Sequence, residues 1–407
     1  MHKIFVFGLS ESVLPSQILQ QLTLCRHIFA TPRMQTLLNG HSGHLHNISP
    51  LQKAVDTMHT LLPSSNIAVL ASGDPLFFGI GKRLLNEFGQ QRLFFSPALS
   101  SIQRAAALFR VPWDDATILS LHGRNCSHIP GRILQQDKSF LFTDKTHSPD
   151  RISRQIKDYL QHIEEHDRLA AIRVSVAENI GTEDERIYKG SLTETAEQRF
   201  SPLNVMLVEN IRPSNIAYRL GLSEEDIQHS RGLITKNEIR AATLHHLRLP
   251  ETGVFWDIGA GSGSISIESA RLNPNLTLYA IEHRPEEILN IKENVRRYGC
   301  YNIIPVHGLA PESLAPLPAP DRVFVGGSKG RLAEIIAAAA SLLPEDGRIV
   351  VNGLTPETIN KAPGLLRQHG LAVTTATIGV SRCDEFGEET QYNPITITTG
   401  HKECART

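Results

Sequence analysis

The sequence is poor in the features that mark secreted, membrane-spanning and nucleic-acid-binding proteins. It has five cysteines in 407 residues, and their scattered positions and odd number predict reduced thiols, with neither a disulfide framework nor a zinc knuckle. No apolar run approaches the roughly twenty residues of a membrane span. The formal net charge of −1 argues against nucleic acid or an anionic membrane as the main partner.

Further absent features narrow the kinds of protein that the sequence could encode. No repeat or low-complexity tract is present, and the first residues predict a strand that lacks the longer apolar core and cleavage site of a signal peptide, so we expect a cytoplasmic protein. His41, His44 and His46 lie close together in the sequence, but no carboxylate or cysteine is in register with them, and we expect no metal site. A length of 407 residues with 41% hydrophobic and 20% charged residues predicts two or three globular domains.

The most informative stretch is an apolar run that ends in an acid and then in three glycines on alternate positions. Residues 254–263 read Val-Phe-Trp-Asp-Ile-Gly-Ala-Gly-Ser-Gly, which predicts a strand, a tight turn lying against a ligand, and a helix from Ser264. Glu282 follows after a second apolar run, 276–281. In a doubly wound sheet this spacing places a carboxylate within reach of a ribose diol. The pattern therefore predicts a nucleoside cofactor.

Two kinds of cofactor compete for this turn. A nicotinamide dinucleotide favours G-x-G-x-x-G, whereas the sixth position here is Ser264, and Asp257 would repel a pyrophosphate. Asp257 with Gly259, Gly261 and Gly263 resembles the first motif of class I S-adenosylmethionine methyltransferases, whose ligand is cationic and has no phosphate. An oxidoreductase and a glycine-rich turn without any ligand remain as alternatives, because glycine triplets alone are a weak signal.

The first half of the chain gathers polar residues at the ends of predicted strands. The apolar run 67–71 breaks at Ser-Gly-Asp-Pro, 72–75, and a Gly-Asp-Pro turn there exposes a carboxylate at the sheet edge where ligands bind. Pro-Ala-Leu-Ser-Ser follows the next strand at 97–101, and its serines can cap a helix that runs through Phe109. A later strand ends in His-Gly-Arg at 122–124.

These segments carry a resemblance to a known family. Residues 70–81, with 97–101 and 121–124 at these separations, resemble the tetrapyrrole methylases of the corrin pathway, and most of all their carbon-5 methylating branch. The resemblance covers residues 1–208 and implies two α/β lobes with the cofactor between them and a lobe change near Trp113. The sequence departs from the family at the first strand, where a single glycine, Gly8, replaces a glycine-rich turn.

The middle of the chain predicts a connector and then a second domain. Residues 210–230 are polar, and we expect a linker with a helix around 223–229. Residues 232–240, Gly-Leu-Ile-Thr-Lys-Asn-Glu-Ile-Arg, contain a capping box in which Thr235 caps a helix and Glu238 completes it. The same stretch resembles the carbon-15 methylating, decarboxylating corrin enzymes, in which the threonine lies near the cofactor. Helix capping alone also explains it.

Two further turns complete the second predicted site. Class I methyltransferases often carry an acid that binds the adenine amine after the third strand, but Leu309 occupies this place, so Ala310 is the expected backbone contact. The fourth strand opens into Gly326-Gly327-Ser328, whose glycines leave room for a large flat substrate. The decarboxylating family has a similar turn.

Together the resemblances imply an α/β protein: a two-lobed class III tetrapyrrole methylase fold at 1–208, a linker at 209–230, a Rossmann-like class I methyltransferase fold at 231–400 and a tail at 401–407. They imply two S-adenosylmethionine sites, one per domain. The residues implied in cofactor binding are Gly8, Gly73, Asp74, Pro75, Phe78, Ser100 and Ser101 in the first domain, and Thr235, Asp257, Gly259, Ala260, Gly261, Ser262, Gly263, Glu282, Gly308 and Ala310 in the second.

The implied reaction is methylation of a precorrin macrocycle at carbons 5 and 15 with loss of the ring C acetate, the step from precorrin-6B to precorrin-8x of cobalamin biosynthesis. A meso carbon of a reduced tetrapyrrole is already nucleophilic, so the reaction asks little of conventional acid-base residues, and the catalytic residues stay unassigned. The substrate carboxylates need basic anchors, although a solvated surface charge explains each candidate equally well. The candidates are Lys236, Arg240, Arg284, Lys329 and Arg331 in the second domain and Arg33, His122 and Arg124 in the first.

Two questions stay open from the residues alone. The substrate could be metal-free or could carry cobalt, and the chain could instead be a non-catalytic tetrapyrrole-binding protein with degenerate cofactor folds. The intact Asp257, Glu282 and 73–75 block argue against the second alternative. By resemblance we expect a homo-oligomer, either a dimer or a tetramer.

Overall fold

The computed structural model describes residues 2–10, 14–38, 41–121, 128–211, 220–230 and 234–403. The chain divides into two compact units, the first made of 1–124, 138–151 and 173–208 and the second of 125–137, 152–172 and 209–407. Among the described residues, no helix is both long and apolar enough to cross a membrane.

The chain up to residue 211 alternates short strands and helices, as its apolar runs predict. The strands are β1 (Ile4–Leu9), β2 (His27–Ala30), β3 (His44–Asn47), β4 (Ile67–Ser72), β5 (Leu93–Ser96), β6 (Thr117–Ser120), β7 (Lys138–Phe142), β8 (Ile172–Glu178), β9 (Arg186–Ser191) and β10 (Asn204–Asn210). The helices are α1 (Ser16–Leu22), α2 (Pro32–Gln35), α3 (Leu51–Leu61), α4 (Gly81–Phe88), α5 (Ser101–Phe109), α6 (Ile129–Leu134), α7 (Pro149–His162), α8 (His166–Ala171) and α9 (Leu192–Ala196).

The first unit contains a parallel sheet of order β3-β2-β4-β1-β5. Strands β1 and β4 are apolar and almost wholly buried, as expected for central strands covered on both faces. Because β1 lies between β4 and β5, the residues that follow these three strands meet at one edge. A second sheet has the order β6-β7-β10-β8-β9. In the sequence, Trp113, near which we predict the lobe change, lies between β5 of the first sheet and β6 of the second.

The second unit is built on a seven-stranded sheet of order β13-β12-β11-β14-β15-β17-β16. Its strands are β11 (Gly253–Ile258), β12 (Leu276–Glu282), β13 (Ile303–His307), β14 (Arg322–Val325), β15 (Arg348–Gly353), β16 (Ala372–Cys383) and β17 (Glu389–His401). Its helices are α10 (Asn237–Leu247), α11 (Ser264–Leu272), α12 (Pro285–Tyr298), α13 (Leu332–Leu342) and α14 (Pro356–Gln368).

In this sheet β11 to β15 run parallel, and β17 joins antiparallel as one arm of the predicted hairpin. The strand order reverses between β11 and β14, and ligands of doubly wound folds bind at such switch points. Buried apolar residues such as Trp256, Ile336 and Leu366 form the core beside the sheet. The expected α/β class, with two small lobes followed by a Rossmann-like sheet, is confirmed.

Segments 125–137 and 152–172, which include α6, most of α7 and α8, belong to the second unit, and side chains from them bind the loop before β13 and β13 itself. The Tyr159 hydroxyl donates to the Ile303 carbonyl at 2.7 Å, and the His162 Nε2–H donates to the Pro305 carbonyl at 2.8 Å, so both bind strand β13. His128 Nε2 lies 2.9 Å from the Tyr301 carbonyl. Burial lowers the pKa of His128 to about 4, which makes this ring a neutral donor.

Two local predictions are wrong. A turn at 224–226 replaces the predicted helix at 223–229, because side chains bind the backbone on either side of it. Glu268 accepts from the N–H of Leu222 at 2.7 Å, and Asn294 accepts from that of Gln228 at 2.8 Å.

The second wrong prediction is the cap of α10. The helix begins at Asn237 and its N-cap residue is Lys236, with no side-chain cap. The predicted cap residue, Thr235, instead offers its carbonyl to the Arg240 guanidinium at 3.3 Å.

Candidate functional site

A cavity of about 280 Å³ opens at the switch point of the second unit. It lies at the carboxyl ends of four parallel strands, and each contributes residues that the sequence singled out. Its walls include Gly259 after β11, Glu282 at the end of β12, Gly308 and Ala310 after β13, and Gly327 and Lys329 after β14.

Glu282 is the central polar group of this cavity and is only 3% exposed. Its Oε1 accepts from the N–H groups of His283 and Arg284, both at 2.9 Å, and its Oε2 accepts from Gly261 N–H at 2.9 Å. Burial opposes ionisation, but these backbone donors and the nearby cations hold the pKa of Glu282 below its usual value. The result is an ionised, fixed acceptor that fits a hydroxyl pair.

The turns after β11 and β14 approach each other closely. Gly259 has a φ of +68°, and a Cβ on it would lie 2.5 Å from the Gly327 carbonyl oxygen. Only glycine meets both conditions. The backbone of the glycine turn thus forms the floor of the cavity, as the motif predicts.

Asp257 lies beneath the turn rather than in the cavity wall. It is fully buried, and its Oδ2 accepts from the backbone N–H of Ser266 at 3.1 Å and from its hydroxyl at 2.6 Å. Burial raises its pKa to about 7 despite these bonds, and the charge of Glu282 adds to the increase. Oδ1 accepts no hydrogen bond from the described residues.

The other members of the predicted turn support the cavity without lining it. Gly263 has a φ of +78° and is the N-cap of α11, and the N–H of Gly261 binds Glu282. The buried Ser262 offers its carbonyl to Asn294 at 3.0 Å. Ala260 N–H donates to the Ile281 carbonyl at 3.0 Å. No described side-chain contact connects Thr235 with the cavity.

The predicted basic anchors of the second unit divide into two groups. Lys329 and Arg284 line the cavity. Lys236, by contrast, pairs with Glu224 at 2.5 Å, and Arg331 binds Glu312 through two bonds of 2.7 Å.

Arg240 is the most deeply buried of the predicted anchors that the structure describes. It is 2% exposed and lies 3.5 Å from Glu268. It also donates to the carbonyls of Leu222 and Thr235. Its described contacts are those of a residue that ties the connector to α11.

His283 is a cavity residue that sequence reasoning did not identify. Its Nδ1 lies 2.7 Å from Oε1 of Glu282, and it lines the cavity beside Arg284. The only sequence signal for His283 as a cavity residue was its position directly after Glu282. A histidine at that position has no defined role in the motif, so no sequence pattern provided a reason to select it.

The first unit has a larger cavity, of about 730 Å³, at the shared edge of β1, β4 and β5. The turns that form this edge need glycine. A Cβ on Gly8 would overlap the Gly73 carbonyl oxygen and come within 2.7 Å of the Ala98 nitrogen. The single glycine left from the family's first turn therefore allows three strand ends to converge.

The predicted Gly-Asp-Pro block lies at this cavity in a defined turn. Asp74 Oδ1 accepts from the Leu76 N–H at 2.9 Å, and both Gly73 and Asp74 line the cavity. Pro75 is buried beside them. Ser100 caps α5 in a full capping box, and it lines the cavity with Ser101.

An aromatic cluster borders the same cavity. Phe78 contacts Phe77 and Phe142 with ring centroids 5.0 and 5.6 Å away. It is 50% exposed and has a φ of +52°, a conformation that non-glycine residues adopt at a cost of about 1–3 kcal/mol. Such strain is commonly kept at ligand-binding positions.

Two predicted anchors, His122 and Arg124, lie outside the described residues. Arg33, the third in this unit, lines the larger cavity. Within the described ranges, no three His, Cys, Asp or Glu side chains come together as metal ligands. The His27 and His46 rings are hydrogen-bonded to each other at 3.0 Å.

Comparison with known proteins gives each half of the chain a family. A family described as "Tetrapyrrole (Corrin/Porphyrin) Methylases" matches residues 11–196, and one described as "Precorrin methyltransferase domain" matches 226–402. The precorrin-6Y C(5,15)-methyltransferase (decarboxylating) of a Sinorhizobium species is 31% identical over 88% of this chain and 84% of its own length.

Two shorter proteins each match slightly less than half of the chain. A Pyrobaculum calidifontis protein described as "Probable cobalt-precorrin-6B C(15)-methyltransferase (decarboxylating)" is 35% identical over 44% of this chain and 95% of its own length. A crystal structure of a precorrin-6Y C5,15-methyltransferase from Geobacter metallireducens is 40% identical, covers 46% of this chain and 100% of the solved chain, and has a TM-score of 0.45. From the full-length relative and the paired families, the chain belongs to the precorrin-6Y C(5,15)-methyltransferase (decarboxylating) family.

Proposed function

We propose that this chain methylates a precorrin macrocycle at carbons 5 and 15 and removes the ring C acetate, with one S-adenosylmethionine site in each unit. The observation that carries the proposal is a cavity at the carboxyl edge of a parallel sheet in each unit, with Gly259 and Glu282 in the wall of one and Gly73 and Asp74 in the wall of the other. Members of this family are methyltransferases of cobalamin biosynthesis that use S-adenosylmethionine. The first unit is assigned carbon 5 and the second carbon 15 with decarboxylation.

The cavity of the second unit fits an adenosine-bearing cofactor. Glu282 would accept the ribose hydroxyls, the Gly259 turn would lie against the nucleoside, and Ala310 would border the adenine. Asp257 would act indirectly, because it is buried beneath the turn and accepts hydrogen bonds from Ser266 on α11. When bound, the cofactor supplies an electrophilic methyl group on a sulfonium.

The residues of the second unit have mainly a positioning role. The exposed Gly326-Gly327 turn leaves one side of the cavity open to a flat molecule. Lys329 stands at this opening and would bind a substrate carboxylate. Since the meso carbon is already nucleophilic, holding it in line in a site with little water supplies most of the acceleration.

The cavity of the first unit is large enough for a cofactor and part of a macrocycle. Its strand-end turns around Gly8, Gly73 and Asp74 would hold the cofactor, and the Phe77–Phe78 cluster offers flat apolar surface to a conjugated ring. Ser100 and Ser101 add hydroxyl groups at the N-terminus of α5.

Reciprocal variants test the two-site proposal in the whole chain. Asp74→Ala should abolish methylation at carbon 5 and leave carbon 15 measurable, and Asp257→Ala should do the reverse. Mass spectrometry of the products would show a different singly methylated species for each variant. Equal loss of both methylations in both variants, in protein that remains folded, would contradict independent sites.

A cobalt-bearing substrate is the second candidate, because a protein named for cobalt-precorrin-6B matches 44% of this chain. Incubation of the protein with metal-free and cobalt-bearing precorrin, followed by weighing of the products, separates the two. If only the cobalt-bearing precorrin is methylated, the substrate is the cobalt-bearing form and not the metal-free one.

A further inference from the structure

The charges on the wall of the first unit's cavity are few and unequal. Arg33 and Arg104 are its cations and Asp74 is its anion, among the described residues that line it. Asp74 is engaged in its own turn by the Leu76 N–H at 2.9 Å. The remaining lining groups are neutral, so the cavity has an excess of positive charge where a carboxylate-bearing ligand is expected.

Arg104 is held in place by two loops that are far apart in the sequence. It lies on α5, and its Nη1 donates to the carbonyl of Ser10, the residue that follows β1. Its guanidinium also lies directly over Gly181, where a Cβ would overlap Nη2, so the contact requires glycine. The side chain is thus fixed from two sides and part-buried.

The guanidinium retains donors for a further partner. It has five N–H groups, and its described hydrogen bond to Ser10 uses one of them. No described carboxylate forms an ion pair with it. The nearby Glu185 is used differently, since its Oε2 accepts the Gly181 N–H at 2.7 Å.

A fixed guanidinium of this kind suits a planar anion. Arginine binds carboxylates through two parallel N–H donors, and a pre-positioned fork loses little side-chain entropy on binding. Arg33 stands on α2 at the same cavity but is exposed, so it lacks this preorganisation. Among the described cations, Arg104 is the one that the fold positions.

We propose that Arg104 is the carboxylate-binding residue of this cavity, and that it couples the bound carboxylate to the loops at Ser10 and Gly181. This inference rests on the proposed carbon-5 methylation in the first unit. The carboxylate belongs either to an acetate or propionate of the macrocycle or to the amino-acid end of the cofactor.

The test compares Arg104→Met and Arg104→Lys with Arg110→Met in the full-length protein. Arg110 is the exposed C-cap residue of the same helix and does not line the cavity, so it is a matched control. Titration calorimetry gives the affinity of each variant for S-adenosylhomocysteine and for 5′-methylthioadenosine, which lacks the amino acid. Mass spectrometry gives KM and kcat for carbon 5, with carbon 15 as an internal reference for folding.

A macrocycle carboxylate predicts that Arg104→Met raises KM for carbon 5 by roughly tenfold or more with both affinities unchanged. A cofactor carboxylate predicts that the affinity for S-adenosylhomocysteine alone falls by a similar factor. Arg104→Lys should recover part of either effect, and Arg110→Met should behave as wild type.

The inference is overturned if KM and both affinities stay within about twofold of wild type, or if 5′-methylthioadenosine binding weakens as much as S-adenosylhomocysteine binding, since this indicates only loop support. Failure of the proposed function looks different, because the wild-type protein would then form no carbon-5 product.

Discussion

Gly259 and Gly327 approach so closely that a Cβ on the first would lie 2.5 Å from the carbonyl oxygen of the second. They follow β11 and β14, the two strands between which the sheet order reverses. The contact therefore fixes the width of the crevice at the switch point. It also makes the glycine turn sensitive to a single added methyl group.

Gly259→Ala should reduce cofactor affinity and carbon-15 methylation by at least tenfold, because the overlap with Gly327 forces the two turns apart and its φ of +68° is strained for alanine. Gly261→Ala is the control. Its φ is also positive, at +55°, but its Cβ would meet nothing within 4 Å. It should show only the backbone cost, about 1–3 kcal/mol.

Titration with S-adenosylhomocysteine and a carbon-15 assay measure both glycine variants. Equal losses in the two would show that backbone strain, and not the approach of Gly327, governs the site.

Glu282→Gln should weaken cofactor binding in the second unit. The carboxylate accepts backbone donors on both oxygens, and an amide nitrogen cannot replace either acceptor. Loss of one charge-assisted bond of about 1.5–3 kcal/mol predicts roughly a ten- to hundredfold decrease in affinity. Calorimetry should show this at one site only, with carbon-5 methylation unchanged. If the variant binds the cofactor as tightly as wild type at both sites, Glu282 does not contact the cofactor.

Asp257→Asn should flatten the pH dependence of stability. The native pKa of about 7 exceeds the value near 3.9 of an unfolded aspartate, so the native chain binds the extra proton between these values. This contribution to stability is complete below about pH 4 and is lost as the pH rises through about 7. Asparagine keeps an acceptor for Ser266 and removes the titration.

Thermal unfolding followed by calorimetry from pH 5 to pH 8, without cofactor, should show a smaller decrease for Asp257→Asn than for wild type. An unchanged slope would mean that Asp257 titrates normally.

Phe78→Gly should lower carbon-5 methylation about tenfold or more without lowering the unfolding temperature. Glycine adopts the positive φ of this position freely, which offsets the lost ring contacts. Arg110→Gly is the matched control, since Arg110 also has a positive φ, +62°, but does not line the cavity. Its unfolding temperature should be unchanged or higher and its activity intact. A marked loss of stability in Phe78→Gly would make the ring a structural element.

The strand ends of both sites could be predicted because a short, local sequence pattern specifies each of them. An apolar run followed by a glycine, as at 67–73 or 254–259, gives both the strand and the turn that needs a positive φ. The order of such runs also predicts a parallel sheet whose carboxyl ends share one edge. Gly8, Asp74 and Glu282 were found in this way.

Contacts between distant segments could not be predicted. Arg240 is a predicted anchor by its charge, yet Glu268, 28 positions later on α11, holds it in the interior. Arg104 is 94 residues from Ser10, and no periodicity connects them. The cap of α10 was also missed, because the carbonyl of Thr235 is used by a guanidinium that the capping-box pattern does not include.

The hydrogen bond from Tyr159 to Ile303 has a consequence for the order of synthesis. The two residues are 144 positions apart, and at about 5–20 residues per second a ribosome needs roughly 7–30 s to make the chain between them. The helix that carries Tyr159 therefore leaves the ribosome long before its acceptor strand exists. During that interval the hydroxyl of Tyr159, a residue that is only 6% exposed in the folded chain, lacks its carbonyl acceptor and must hydrogen-bond to water.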